Sequence, residues 1–109
     1  MQQDYTHIRI RSGENSEKFI ALSVPMQEFL ILKKLAEFDC KPYSDFIKYL
    51  LECKLFKNEH NITYRLTRLA GKDLIKKEWY IDEEHPKSHR RTMLTLSSIV
   101  DRNSLGIQR

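Results

Sequence analysis

The sequence predicts one α+β domain in which two N-terminal strands precede three helices and a second pair of strands. Apolar residues alternate near the N-terminus, recur at helical spacing in three central segments, and give way to two β-favouring segments near the end. The 109 residues suffice for one compact domain with a modest core. We expect a β extension at residues 1–22, the main domain at residues 23–97, and a C-terminal tail or short docked turn at residues 98–109.

Composition places the chain among ordinary globular proteins. Apolar residues make up 40% and charged residues 31%, which favours a folded domain over a disordered chain. No apolar run approaches the roughly 20 residues of a membrane span, and the N-terminus lacks the layout of a secretory signal. We therefore expect a cytoplasmic protein with no membrane partner.

The residue types that usually carry chemistry do not indicate an enzyme. The sequence has no Gly-rich phosphate loop, nucleophile motif or recognisable pair of catalytic acids. Cys40 and Cys53 lack zinc-ligand spacing to each other and to the four histidines. We expect two reduced, core-facing thiols, no metal and no cofactor. Whether Cys40 acts as a redox switch stays open.

The first two strands are expected at residues 6–11 and 18–24, on either side of a turn-like segment. Residues 7–11 alternate between polar and apolar types, and residues 12–16 have the composition of a turn. These segments form either a hairpin or two separate strands.

The first two helices follow directly. Pro25 suits the first turn of a helix that we place at residues 26–39, and Pro42 separates it from the next helix. Ser44 is the expected N-cap of the second helix, which we extend to Leu55 on the spacing of its apolar residues.

The third helix carries two distinct faces. Asn58 is its expected N-cap, and Ile62, Leu66 and Leu69 form an inner stripe within residues 59–72. The opposite face has side chains that hydrogen-bond to bases or phosphates, with no acidic residue at its centre. This face comprises His60, Tyr64, Thr67 and Arg68, flanked by Asn61, Thr63 and Arg65.

Basic residues continue into the last two strands, expected at residues 74–81 and 92–96. The formal net charge of +4 is modest, so the distribution of charge matters more than its total. The strands and the polar loop between them contribute Lys76, Lys77, Lys87, His89, Arg90 and Arg91. The order of three helices, a strand, a basic loop and a strand predicts a winged helix-turn-helix, with helix three in the major groove of duplex DNA and the loop on its backbone.

Two segments strengthen this interpretation through a resemblance. The runs ITYRLTRLAGKDLIKK, residues 62–77, and RRTMLTLS, residues 90–97, resemble the recognition helix and wing of the MarR/SarA group of bacterial transcription regulators. The resemblance implies a sequence-specific transcriptional regulator. A homodimer is expected because DNA half-sites usually recruit two copies.

The chain departs from that group's pattern in three ways. Asp73 stands where the group has glycine, which is tolerable because Asp can adopt a left-handed backbone. Ser88 replaces the wing aspartate that would orient Arg90. We expect none of the group's long terminal dimerisation helices, because the N-terminal residues have strand patterning and residues 98–109 are weakly patterned. The group's effector pocket is therefore not carried over, and whether a small-molecule effector exists stays open.

Two other interpretations remain. The strand at residues 18–24 and the two helices after it resemble ribbon-helix-helix repressors, in which Lys18, Ile20 or Leu22 would contact DNA, but residues 58–97 are then unexplained. The other is a winged-helix module that binds protein instead of DNA. Among DNA-binding roles, transcription, plasmid partition and replication initiation all use this fold.

The wing leads to a first prediction. Replacing Arg90 and Arg91 together by alanine should weaken binding to every DNA sequence alike, because phosphate contacts carry no sequence information. The slope of log affinity against log salt should fall by about one to two units. An unchanged affinity and slope, measured by fluorescence anisotropy over a salt series, would favour the protein-binding module.

Overall fold

A computed structural model of the chain describes residues 4–12, 17–38, 41–80 and 91–106. In these ranges the protein is α+β, as predicted, with three helices and two small antiparallel sheets. The helices are α1 (Met26–Phe38), α2 (Tyr43–Glu52) and α3 (Glu59–Gly71). The strands are β1 (Tyr5–Arg11), β2 (Phe19–Pro25), β3 (Lys41–Pro42), β4 (Ile75–Tyr80) and β5 (Arg91–Leu96).

The N-terminal strands pair with each other as a hairpin and not as two separate strands. Opposite residues include Ile8 with Leu22 and Ile10 with Ile20. Alternation decides which face is buried, because successive side chains of a strand point to opposite faces. Ile8 and Val24 are completely buried, so this face packs on the rest of the domain.

Residues of the C-terminal segment extend that sheet. Ile10 bridges Val100, the Arg11 N–H donates to the Ile99 carbonyl, and the Asp101 N–H donates to the Arg9 carbonyl. A short 3₁₀ helix, Arg102–Leu105, follows and buries Leu105. Residues 99–101 are therefore docked on β1, and the 3₁₀ helix contacts the same strand through Ser104, whose Oγ accepts the Arg9 N–H at 3.1 Å.

The second sheet has three strands in the order β3-β5-β4, where the sequence predicted two. Residues 41–43 were expected only to end the first helix, but β3 pairs with β5 through Lys41–Leu94 and Pro42–Met93. Pro42 has φ −58° and ψ 140°, an extended conformation that a proline adopts readily at a sheet edge. The predicted loop at residues 82–91 lies outside the described residues, apart from Arg91, which begins β5.

The helix ends differ from the expectations in ways that local geometry explains. Ser44 does not cap α2: the helix begins at Tyr43, its N-cap is Pro42, and no side chain caps it. It ends at Glu52, before the expected Leu55, and Lys54 then takes a left-handed φ of 58°. At α3 the predicted cap is confirmed, because Asn58 Oδ1 accepts the Asn61 N–H at 2.9 Å.

One apolar core joins all of these elements. It receives side chains from both sheets, from the three helices and from the C-terminal segment. Its completely buried members include Ile8, Val24, Ile31, Leu35, Phe46, Leu50, Ile62, Leu66, Leu69, Leu94 and Leu105. Since α3 and β5 supply a large share of this core, a chain ending after α2 would lose much of its buried apolar surface.

Asp73 has the left-handed backbone expected from its position after α3, with φ 61°. Its side chain is exposed, and its N–H donates to the Ala70 carbonyl at 3.1 Å. Asp73→Gly should raise the free energy of unfolding by a few tenths to about 1 kcal/mol, because glycine adopts this conformation without steric cost.

Asp73→Ala is the matched variant and should lower that free energy by about 1 kcal/mol. Urea unfolding of the three proteins measures both effects. Equal stability of the glycine and alanine variants would show that the backbone at residue 73 is not left-handed.

Candidate nucleic-acid interface

Helix α3 presents one face to the core and the opposite face to solvent. Ile62, Leu66 and Leu69 are completely buried against the other helices and the second sheet. These positions lie at i, i+4 and i+7, so they form one stripe that turns this side of the helix toward the core. The residues on the opposite side are consequently held in a defined outward orientation.

The outer face has the exposure expected from the sequence. His60, Tyr64, Thr67 and Arg68 are all exposed, with Tyr64 at 54%. Within α3 the sole acidic residue is Glu59, in the first turn. The face therefore offers an imidazole, a phenol, a hydroxyl and a guanidinium without a carboxylate among them.

The two threonines of α3 already bond to the helix backbone. The Thr63 hydroxyl donates to the His60 carbonyl at 2.9 Å, and the Thr67 hydroxyl donates to the Thr63 carbonyl at the same distance. Each hydroxyl oxygen still has lone pairs to accept a hydrogen bond. Asn61 is half-buried, and its Oδ1 is buried with no hydrogen-bond partner among the described residues.

Glu28 of α1 is the centre of a buried ionic network that reaches α3. Its side chain is completely buried. Oε2 lies 2.9 Å from Arg65 Nη1, and Oε1 lies 2.9 Å from Lys72 Nζ. Arg68 Nε is 3.6 Å from Oε2, which completes a group of three cations around one carboxylate.

This network separates the arginines that the sequence grouped together. The side chain of Arg65 is only 15% exposed and its guanidinium bonds to Glu28, so it lies between the helices instead of on the outer face. Arg68 is 44% exposed and reaches Glu28 only at the edge of the network. Arg68 is therefore the arginine of α3 that extends along the outer face.

Arg68 also contacts Tyr64 on that face. Its Cζ lies 5.8 Å from the centre of the Tyr64 ring, a cation–π distance. A hydrogen bond with the Tyr64 side chain is the largest cause of a raised pKa at Arg68, and the charge of Glu28 adds to it. The guanidinium is a permanent cation that its neighbours orient.

The two lysines of β4 lie on opposite faces of the second sheet. Lys77 pairs with Leu94 of β5 and lies on the same face of the sheet as the buried Ile75. Lys76 lies on the opposite face, because successive side chains of a strand alternate. Lys77 Nζ is 5.3 Å from the ring centre of Tyr43 at the start of α2. Burial is the main cause of a raised pKa at Tyr43, so its ring stays neutral beside the ammonium.

The structure describes the remaining predicted residues only in part, or not at all. Lys87, His89 and Arg90 lie outside the described residues. Arg91 is the first residue of β5 and pairs with Tyr80 through the backbone, and its side chain is not described. Cys53 is a free, half-buried thiol, and Cys40 lies outside the described ranges.

Sequence reasoning missed the role of Glu28, although the sequence contains the signal. Glu28, Ile31, Leu32 and Leu35 stand at i, i+3, i+4 and i+7, so the glutamate shares the buried stripe of α1. A carboxylate in that stripe needs cationic partners, because an unpaired buried charge is very costly. Its partners were unpredictable because they lie about 40 residues further along the chain.

Comparison of the chain with family models, with curated proteins and with solved structures found no match. Within the described ranges, no group of three or more metal-binding side chains comes together, and no helix is long and apolar enough to cross a bilayer.

The network predicts a large effect of a single substitution. Glu28→Leu leaves Arg65 and Lys72 without their counter-charge and should lower the free energy of unfolding by about 2–4 kcal/mol. The partners' partial exposure to water keeps this below the largest losses for buried ion pairs. Urea unfolding measures the change.

Glu37→Leu is the matched control on the same helix. Glu37 pairs with Lys34 at 3.8 Å on the surface, where an ion pair contributes about 0–1 kcal/mol. If both variants lose equally little, the Glu28 network does not hold α1 and α3 together.

Proposed function

We propose that this protein binds duplex DNA sequence-specifically as a winged helix-turn-helix and regulates transcription. The observation that carries the proposal is the outer face of α3, which presents His60, Tyr64, Thr67 and Arg68 with no carboxylate among them. These groups donate and accept hydrogen bonds at base edges in the major groove.

The order of the elements supports the winged-helix part of the proposal. Helix α1, strand β3, helices α2 and α3, and strands β4 and β5 follow one another, and β3 is the third strand of the sheet. In this arrangement the connection between β4 and β5 is the wing. It contains Lys87, His89 and Arg90, next to Arg91 at the start of β5.

Within the proposal, the predicted residues divide by role. Arg68 is the principal base-reading residue, since a guanidinium forms paired hydrogen bonds with guanine. His60, Tyr64 and Thr67 contact bases or sugars beside it. Lys76, Lys77 and the wing residues supply phosphate contacts, with Lys77 on the helix side of the sheet.

Arg65 contributes to DNA binding indirectly, by fixing the position of α3. Its ion pair with Glu28, together with that of Lys72, ties α3 to α1 at two separate carboxylate oxygens. Base reading requires side chains held in a fixed register, because hydrogen bonds weaken steeply with small errors of geometry. The network is the device that fixes this register.

A protein-binding winged helix is the competing function. A protein-binding face usually has an apolar centre surrounded by a polar rim. On α3 Tyr64 is the one large exposed aromatic, and the exposed Arg68 has its guanidinium 5.8 Å from the Tyr64 ring. A single aromatic side chain does not make an apolar centre, and a cation with no carboxylate beside it on the outer face suits a polyanion such as DNA.

Arg68→Ala tests the proposal directly. A preferred sequence is first selected from a random duplex pool with the wild-type protein. On that sequence the variant should lose about 1–3 kcal/mol of binding free energy, with a much smaller loss on random duplex. Fluorescence anisotropy at one fixed salt concentration measures both.

Arg11→Ala is the control, because Arg11 is an exposed arginine on the hairpin and not on α3. It should leave the preference unchanged. Equal losses for Arg68→Ala on selected and random DNA would contradict base reading by Arg68, and no enrichment of any sequence would contradict the proposed function.

A further inference from the structure

Strand β2 has one edge paired with β1, and its opposite edge is unpaired among the described residues. The backbone hydrogen bonds just beyond the two ends of the hairpin show how the strands alternate. The Ser12 N–H donates to the Lys18 carbonyl, and the Met26 N–H donates to the Asp4 carbonyl. Even-numbered residues therefore direct their main-chain groups across the hairpin.

The N–H and carbonyl groups of the odd-numbered residues must then point away from the hairpin partner, toward the outer edges of the sheet. This holds on β1, where the Arg9 carbonyl and the Arg11 N–H bond to the C-terminal segment. On β2 the corresponding residues are Phe19, Ala21, Ser23 and Pro25. The first three present both an N–H and a carbonyl at the outer edge, and all three are exposed.

The side chains along this edge are unusually apolar for an exposed strand. β2 reads FIALSVP and contains no charged residue. Phe19 is 44% exposed and Ile20 is 51% exposed. Edge strands of monomeric proteins are usually protected by charges, bulges or prolines, whereas here Pro25 lies only at the end.

We propose that β2 pairs antiparallel with β2 of a second copy of this chain. Two copies of β2 can pair without like-charge repulsion because the strand contains no charged residue. In one antiparallel register, Ala21 lies opposite Ala21 of the second copy. The outward-pointing residues Phe19, Ala21 and Ser23 of one strand then pair with the same three residues of the other. In that register Phe19 faces the partner's Ser23, and Ile20 faces the partner's Leu22.

The pairing satisfies the outer-edge groups of these three residues and covers Ile20. It joins the two hairpins into one continuous sheet, with the C-terminal segments at its outer edges. The particle is then a two-fold dimer, and its interface is distinct from the outer face of α3. The proposal does not depend on DNA binding, because the dimer forms without DNA.

A disulfide test examines the register in the full-length chain. In a background with Cys40→Ser and Cys53→Ser, Ala21→Cys places two thiols on a hydrogen-bonded pair whose Cα atoms are about 5.5 Å apart. That distance suits a disulfide. Mild oxidation should therefore give a covalent dimer on a non-reducing gel.

Ser23→Cys in the same background is the matched control. The two copies of residue 23 are displaced by four positions in this register, roughly 13 Å along the strand, so they should not cross-link. Equal cross-linking of both variants, or none for Ala21→Cys, overturns the proposed pairing.

Oligomeric state supplies the second measurement. Sedimentation equilibrium of the wild type without DNA should give twice the 13.1 kDa chain mass. Ala21→Pro removes an outward N–H without touching the bonds to β1, and should raise the dimer dissociation constant at least about tenfold. Ala21→Thr keeps the N–H and should remain dimeric. A monomeric wild type, or a folded Ala21→Pro variant that dimerises normally, overturns the proposal.

Discussion

The buried carboxylate of Glu28 is the constraint on which the arrangement of α1 and α3 depends. Apolar packing alone allows a helix to slide or rotate slightly, since contacts between aliphatic side chains have little directionality. A carboxylate with Arg65 and Lys72 on its two oxygens defines both the distance and the rotation of α3. It also engages two cations in ion pairs, which reduces the positive charge that α3 can offer to a ligand.

The pairing with Glu28 explains why the structure separates Arg65 from Arg68, although sequence analysis placed both on the outward side of α3. On a helical wheel both lie outside the apolar stripe, with Arg65 nearer to it than Arg68, but the local sequence does not show that Arg65 is buried. The distinction comes from Glu28, on another helix. In the folded chain Arg65 is an internal ion-pair partner and Arg68 an exposed one, with 15% and 44% of their side chains accessible. A long-range pairing thus decides which arginine is free to face a ligand.

Features with local causes were predictable from the sequence. The Asn58 cap, the inner stripe of α3 and the left-handed Asp73 each depend on residues within one turn, and the structure has all three. The two residues of β3 were not predictable, because their pairing depends on β5 about 50 residues away. The docking of residues 99–101 on β1 is of the same kind. The outer face of α3 could be predicted, whereas the network that orients it could not.

The charges that remain on α3 have a consequence for affinity. Once Arg65 and Lys72 are assigned to Glu28, Arg68 is the cation left on the outer face. Phosphate contacts supply much of the free energy of binding to duplex DNA, so in the proposed function a single cation on this face supports base reading better than tight binding. In the proposed function, the phosphate contacts come from β4 and the basic segment that contains Lys87 and Arg90. A DNA-binding domain with few phosphate contacts gains affinity by binding as two linked copies, because the second copy then binds at a high effective concentration. A dimer joined through β2 would supply that link through a rigid sheet, so that DNA affinity and self-association depend on separate parts of one small domain.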